Sequence, residues 1–313
     1  LFPGDSIDTD TILKHSNIAL FHAKAQGHNN FLFYNENLSK NSRENMKLES
    51  DLRRAVEDEQ FELYYQPKVD LVSGKITGME ALLRWHHPEV GMIPPDEFIP
   101  ITEATGLITV IGKWVIRTAC NQIRAWDDAG YKDITISINL SAVQFRQDDL
   151  LQQISEILDE TGVAPHRLEL EITENTIMDD IESATTTLRE LHKTGVQISI
   201  DDFGTGYSSL SYLKRFPINT VKIDRAFIRD ITTDTHDAAI VRAVMTMAHN
   251  MGLRVVAEGI ETVAQLDYLR ELQCDEIQGY LFSPPVPYRE AETMLEDGAG
   301  FSHYLKNEER AVS

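Results

Sequence analysis

The sequence predicts an α/β barrel of eight strands, built on the (β/α)8 plan but with its first strand running against the others. Three observations lead there. Eight short apolar or β-branched runs, at 62–70, 76–83, 134–139, 167–172, 196–201, 219–223, 253–257 and 275–281, have helical patterns between most of them. Such an alternation over about 240 residues is what an eight-fold barrel requires. Most of these runs carry an acid, amide or ammonium group at or near their C-terminal end, where barrels of this kind gather their reactive side chains. The link between the first two runs, LVSGK, is too short for a parallel crossover, which takes a dozen residues or more. The first strand is therefore expected to be antiparallel to the second.

Taken in chain order, the N-terminal stretch reads as a helix over 9–26 and a strand-like run, FLFY, at 31–34. The charged stretch 37–60 reads as a linker helix. Within the barrel, TGMEALLRW carries Glu80, and the helix at 107–126 shows Ile108, Ile111, Val115, Ile123 and Trp126 at helical spacing. ITISINL then ends at Asn139, and RLELEITE carries Glu171. ISIDDFGTGYSSL, at 198–210, is the most informative segment. It ends an alternating strand in two adjacent carboxylates, Asp201 and Asp202. Like charges this close repel unless a cation lies between them, and Mg²⁺ or Mn²⁺ favours such oxygen ligands. An ordinary surface turn accounts for Asp and Gly equally well when the segment is taken alone. NTVKID follows with Lys222, LRVVAEGIE with Glu258, and the last run with Gln278. Only the barrel turns these scattered groups into one cluster.

Composition limits the partners. The chain has 313 residues, 42% of them hydrophobic, and a net charge of −21. Such a surface repels DNA and RNA, but a small phosphodiester can still bind where metals and local cations neutralise it. The two cysteines, Cys120 and Cys274, sit in apolar patterns and are expected as free core thiols in a reducing cytosol. No run has membrane-spanning length and no signal peptide is seen, so a cytoplasmic location is expected. Because the first residue is Leu1, the chain is expected to be a piece of a longer protein with sensory or membrane segments upstream.

MEALLRW with Glu80, INLS with Asn139, EITE with Glu171 and Glu174, DDFGTGYSSL, VKID, AEGIE and QGYLFS occur in that order. In this set the chain resembles the EAL family of cyclic di-GMP phosphodiesterases, from about residue 50 to about residue 298. The resemblance implies a modified barrel with an antiparallel first strand, in line with the short first link. It also implies hydrolysis of cyclic di-GMP to linear 5′-pGpG with two Mg²⁺ or Mn²⁺ ions and no organic cofactor. Glu80, Asn139, Glu171 and Asp201 match the family's ligands for one ion, and Asp201, Asp202 and Glu258 those for the other. Lys222 is expected to orient the attacking water, while Gln278 and Glu261 correspond to groups that support the metal ligands. Gln66 and Arg84 correspond to substrate-contacting positions. Glu174 corresponds to an acid that pins the loop 203–210 beside a dimer interface between barrels; just past its strand end it can accept from loop amides or from hydroxyls such as those of Thr205 and Ser208, although a cap on the helix beginning near Asn175 accounts for it as well.

His86 and His87 have no place in the pattern and are expected in a loop or rim. Pro284 stands where family members often carry a basic residue. Residues 1–36 resemble the C-terminal tail of a GGDEF diguanylate cyclase domain without its signature loop. The expected organisation is thus 1–36 as that remnant, 37–60 as linker helix, 61–298 as barrel and 299–313 as tail. A non-catalytic cyclic di-GMP receptor and an unrelated metal-dependent barrel hydrolase are the competing readings.

Overall fold

The computed structural model describes residues 8–25, 31, 33–34, 36–205 and 213–296. Its strands, in chain order, are β1 (Phe61–Asp70), β2 (Ile76–His87), β3 (Gly91–Ile93), β4 (Thr135–Asn139), β5 (Leu168–Thr173), β6 (Gln197–Phe203), β7 (Thr220–Ile223), β8 (Arg254–Ala257), β9 (Glu276–Ile277) and β10 (Val286–Pro287). The described residues form two compact units: one takes those up to Glu62 with Arg84–Ile111, the other Leu63–Leu83 and those from Gly112 onward.

The first unit holds the helices Thr9–Ala25 and Glu36–Glu57 close to the expected ranges. Of the strand-like run at 31–34, residues 31, 33 and 34 form no strand, and Leu32 lies outside the described residues. β2 and β3 pair as a hairpin, Trp85 opposite Ile93 and His87 opposite Gly91. Its core includes Phe61, Trp85 and Phe98, and the Trp85 indole donates to Gln60 Oε1 at 3.0 Å. His86 and His87 belong to β2 rather than to a loop, which corrects the expectation for them. His86 Nε2 lies 2.9 Å from Glu62. His87 is buried: its Nε2 is 3.2 Å from Asp51 Oδ2, and its Nδ1 accepts from the backbone N–H groups of Glu89 and Val90. With both ring nitrogens engaged, it completes a core rather than binding an ion.

The second unit is the barrel. β2, β4, β5, β6, β7, β8 and β9 pair in that order, each parallel to the next. β1 closes the ring, antiparallel to β9 with Val69 opposite Ile277, and pairs with β2 on its other side. The antiparallel first strand that LVSGK predicts is thus present, and the turn is closed by Asp70 N–H donating to Lys75 O at 2.9 Å.

The alternation along the strands explains why they sit here. In β5, Leu168, Leu170 and Ile172 alternate with Glu169 and Glu171, and all five are buried. A strand places successive side chains on opposite faces, so one apolar and one polar row is what a strand between a helical layer and a polar interior needs. The helix Ile181–Thr194, begun by Asp180 accepting from Ser183 N–H at 3.1 Å, packs on β6. The helix Thr235–Asn250 packs on β8. The eighth run, expected over 275–281, is a strand only at Glu276–Ile277. Beyond it Gln278 O accepts from Ile260 N–H, and a Cβ on Gly279 would collide with the Ile260 backbone. Glycine permits that approach. Among the described residues, no single helix is long and apolar enough to cross a membrane.

Candidate active site

Adjacent strand ends deliver the functional side chains. Glu80 is on β2, Asn139 ends β4, Glu171 is on β5, Asp201 and Asp202 lie in β6, and Lys222 is on β7. Glu258 and Gln278 each stand just past a strand end, β8 and β9. Lys222 is the hub. Its ammonium is fully buried and lies 2.5 Å from Glu171 Oε2, 2.6 Å from Glu258, 3.3 Å from Asp201 and 3.5 Å from Glu80. Asp224, two residues on, caps the helix Arg225–Arg229 by accepting from Ala226 N–H at 2.8 Å.

Amides hold the acids in place. Glu80 accepts from Asn139 Nδ2 through Oε1 and from Gln278 Nε2 through Oε2, both at 2.6 Å. Gln278 Nε2 also donates to Gln66 Oε1 at 2.9 Å, and Gln66 Nε2 donates to Ser283 O at 3.0 Å. The expected sites Gln66, Glu80, Asn139, Glu171, Asp201, Lys222, Glu258 and Gln278 are therefore brought together.

The electrostatics show more negative charge than the lysines neutralise. Burial pushes the Glu258 carboxyl up to about 8, against the pull of Lys222 and with a further push from Asp201 and Glu80. Burial and the neighbouring Glu171 also raise Glu80. Burial, Asp201 and Asp224 push Asp202 up to about 6. For Glu171 burial works in the same direction, but Lys222 and Lys68 overcome it and hold the carboxyl far below its usual range.

Lys68 is the residue that the sequence reading missed. On β1, it reaches Glu169 Oε2 at 2.7 Å and Glu171 Oε1 at 2.9 Å, with all three side chains buried. Strand parity contained the signal: Lys68 is two residues from Gln66 and Glu169 two from Glu171, so each shares the face of an expected site residue.

β6 breaks regularity where its two acids meet. The pairing with β7 shifts register between Ile200 and Phe203, and Asp202 has φ +53°, a left-handed conformation that Asp tolerates better than most residues. Asp202 N–H donates to Asp201 Oδ1 at 2.9 Å. Past the bend, Gly204 N–H donates to the buried Glu174 Oε2 at 2.9 Å, and Thr205 Oγ1 to Asp202 O at 2.8 Å. Glu174 thus accepts from a loop amide, that of Gly204, while Gly206 and Ser208 lie outside the described residues. Glu174 opens the helix Glu174–Met178, whose N-cap is Thr173.

Glu261 makes no side-chain hydrogen bond or ion pair to this cluster among the described residues. It is exposed, and its backbone N–H donates to Gln265 Oε1 at 2.9 Å. Arg84 belongs to β2 within the first unit. Among the described residues, no three His, Cys, Asp or Glu side chains are set as a ready cage for an ion. The carboxylates turn to Lys222 instead.

Comparison with known proteins places these residues in context. A family model described as the EAL domain matches residues 49–285. The chain is 45% identical over 295 residues to the bifunctional diguanylate cyclase/cyclic di-GMP phosphodiesterase MucR of Pseudomonas aeruginosa, covering 94% of this chain and 43% of that protein. It is 41% identical to the cyclic di-GMP phosphodiesterase NbdA of the same organism, covering 94% and 38%. It thus spans less than half the length of these two relatives. A solved structure of the MucR phosphodiesterase in complex with c-di-GMP superposes with a TM-score of 0.76 at 47% identity, covering 78% of this chain and 99% of that one.

Proposed function

The chain belongs to the EAL domain family, and from that premise we propose that it is a phosphodiesterase that opens cyclic di-GMP to linear 5′-pGpG using Mg²⁺ or Mn²⁺. One observation carries the reading: four carboxylates, from β2, β5, β6 and the end of β8, converge within 3.5 Å of one buried ammonium. A set this acidic, made only of oxygen donors and an amide, fits hard divalent cations and not zinc, which favours His and Cys.

In this reading Glu80, Asn139, Glu171 and Asp201 hold one ion, and Asp201, Asp202 and Glu258 the other. Two such ions would supply Lewis-acid charge to the scissile phosphate. The chain's own residues do the rest. Asn139 and Gln278 fix Glu80 by donating to its two oxygens, which leaves the Asn139 carbonyl oxygen free of that task. Lys222 keeps a positive charge beside the reacting phosphate and orients the water whose oxygen joins phosphorus. The P–O3′ bond breaks, and the ribose oxygen leaves with a proton. Gln66 and Arg84 bind the substrate, Glu261 supports the ions, and Glu174 anchors the loop. The barrel at 61–298 is the catalytic module, preceded by a linker helix and a cyclase-like remnant at 1–36, and it acts as a homodimer in the cytoplasm.

Incubation with cyclic di-GMP and Mg²⁺ or Mn²⁺, followed by chromatography, tests this. Linear 5′-pGpG is the expected product, with little turnover in Ca²⁺, whose larger and looser shell has longer bonds. Tight binding of intact cyclic di-GMP without any product would establish the receptor reading instead.

A further inference from the structure

We propose that the buried Lys68–Glu169 pair is a positioning device for Glu171, holding one of its carboxylate oxygens so that the other is presented to a divalent cation. The inference rests on the reading of Glu171 as a cation ligand. The two Glu171 oxygens have separate partners: Oε1 accepts from Lys68 at 2.9 Å and Oε2 from Lys222 at 2.5 Å. A carboxylate gripped at one oxygen has a fixed plane. The other oxygen then points the same way whether its partner is Lys222 or an incoming ion.

Lys68 by itself would be a poor choice for this task. A second ammonium beside the site repels a divalent cation, and burial weakens the screening of that repulsion. Glu169 removes the difficulty. Its Oε2 accepts from Lys68 at 2.7 Å, so the pair carries no net charge and its main contribution is orientation. Glu169 gains little else from its place: its Oε1 is buried and has no hydrogen-bond partner among the described residues. A buried ion pair is weak evidence of a stabilising role, because desolvation offsets the attraction. A buried carboxylate left half satisfied is costlier still. The pair is explained by what it does to Glu171.

The test replaces the pair as a unit, which keeps the net charge. Mn²⁺ is titrated calorimetrically, without substrate, into the full chain, the double variant Lys68→Met/Glu169→Gln, and Glu171→Gln as a control. Loss of such a supporting contact typically lowers metal affinity by about 10–100-fold, so at least a tenfold loss is expected in the double variant. Its turnover should recover at saturating Mn²⁺, a shift in metal requirement that a merely structural role would not produce. Glu169→Gln, which changes no shape, guards against a double variant that fails to fold. It should also bind Mn²⁺ more weakly, because the Lys68 charge is then unopposed. Unchanged affinity in either folded variant overturns the proposal while leaving the reading of the site intact. Absence of Mn²⁺ binding by the unaltered chain overturns both.

Discussion

Substituting methionine for Lys222 keeps most of the side chain's bulk and removes its charge. In the metal-free protein this strands Glu171, Glu258, Asp201 and Glu80, which lie 2.5 to 3.5 Å from the ammonium. Removing one partner of a buried ion pair costs about 3–5 kcal/mol. For a domain of this size each kcal/mol lowers Tm by about 2–4 °C, so Lys222→Met should melt roughly 6–20 °C below the parent in a chelator. Divalent ions supply the missing positive charge. Mn²⁺ should therefore raise the variant's Tm more than the parent's, beyond the roughly 2.7 kcal/mol that a ligand at a hundred times its Kd gives by mass action. Hydrolysis should stay abolished, because the water loses its orienting ammonium. The assay is thermal unfolding with chelator and with Mn²⁺, beside turnover on the same preparation. A metal-free variant that melts with the parent would show that Lys222 is not what holds the acids together.

Asp201→Asn should abolish turnover at any Mn²⁺ concentration, whereas Gln278→Ala, which loosens Glu80, should cost about 10–100-fold; near-normal rates in both would remove Asp201 from its bridging role. Glu174→Ala breaks the bond to the Gly204 amide, so it should leave the fold intact and lower metal-dependent turnover about tenfold or more. Lowered stability with unchanged kinetics would reduce Glu174 to a helix-end residue. Raised carboxyl pKa values favour the protonated fold, so metal-free stability should fall as pH rises from the ordinary glutamate value toward the Glu258 value of about 8. Mn²⁺ binding at pH 7 should accordingly release protons, read as calorimetric enthalpies that change with the ionisation enthalpy of the buffer; equal enthalpies in all buffers would contradict this.

What could be read from the sequence was whatever a single strand displays. The polar ends of β2, β4, β5, β6, β7 and β8 each stand out locally, and the short LVSGK link already dictates a reversed first strand. The Lys68 pairing could not stand out, because Glu169 is 101 residues away and becomes its neighbour only across the closed ring. The last strand was overestimated because apolar residues at 281–282 continue the pattern, although Gly279 turns the chain away after Ile277. His87 looked like a rim residue because its partner, Asp51, lies 36 residues earlier on the helix Glu36–Glu57.

The two-residue seam between β1 and β9 also has a kinetic meaning. It ties Gln66 to Gln278 across 212 residues, and the same glutamine ties to Glu80 across 198. Contacts of such separation form late, since the entropy of closing so long a loop precedes any reward. The acids on β2, β5 and β6 can therefore be neighbours before the ring shuts, while Glu80, already held by Asn139, still lacks Gln278, the second amide that fixes it. Competence for chemistry arrives with the last step of folding. Local opening of that short seam in the finished molecule would switch the centre off without unfolding the rest.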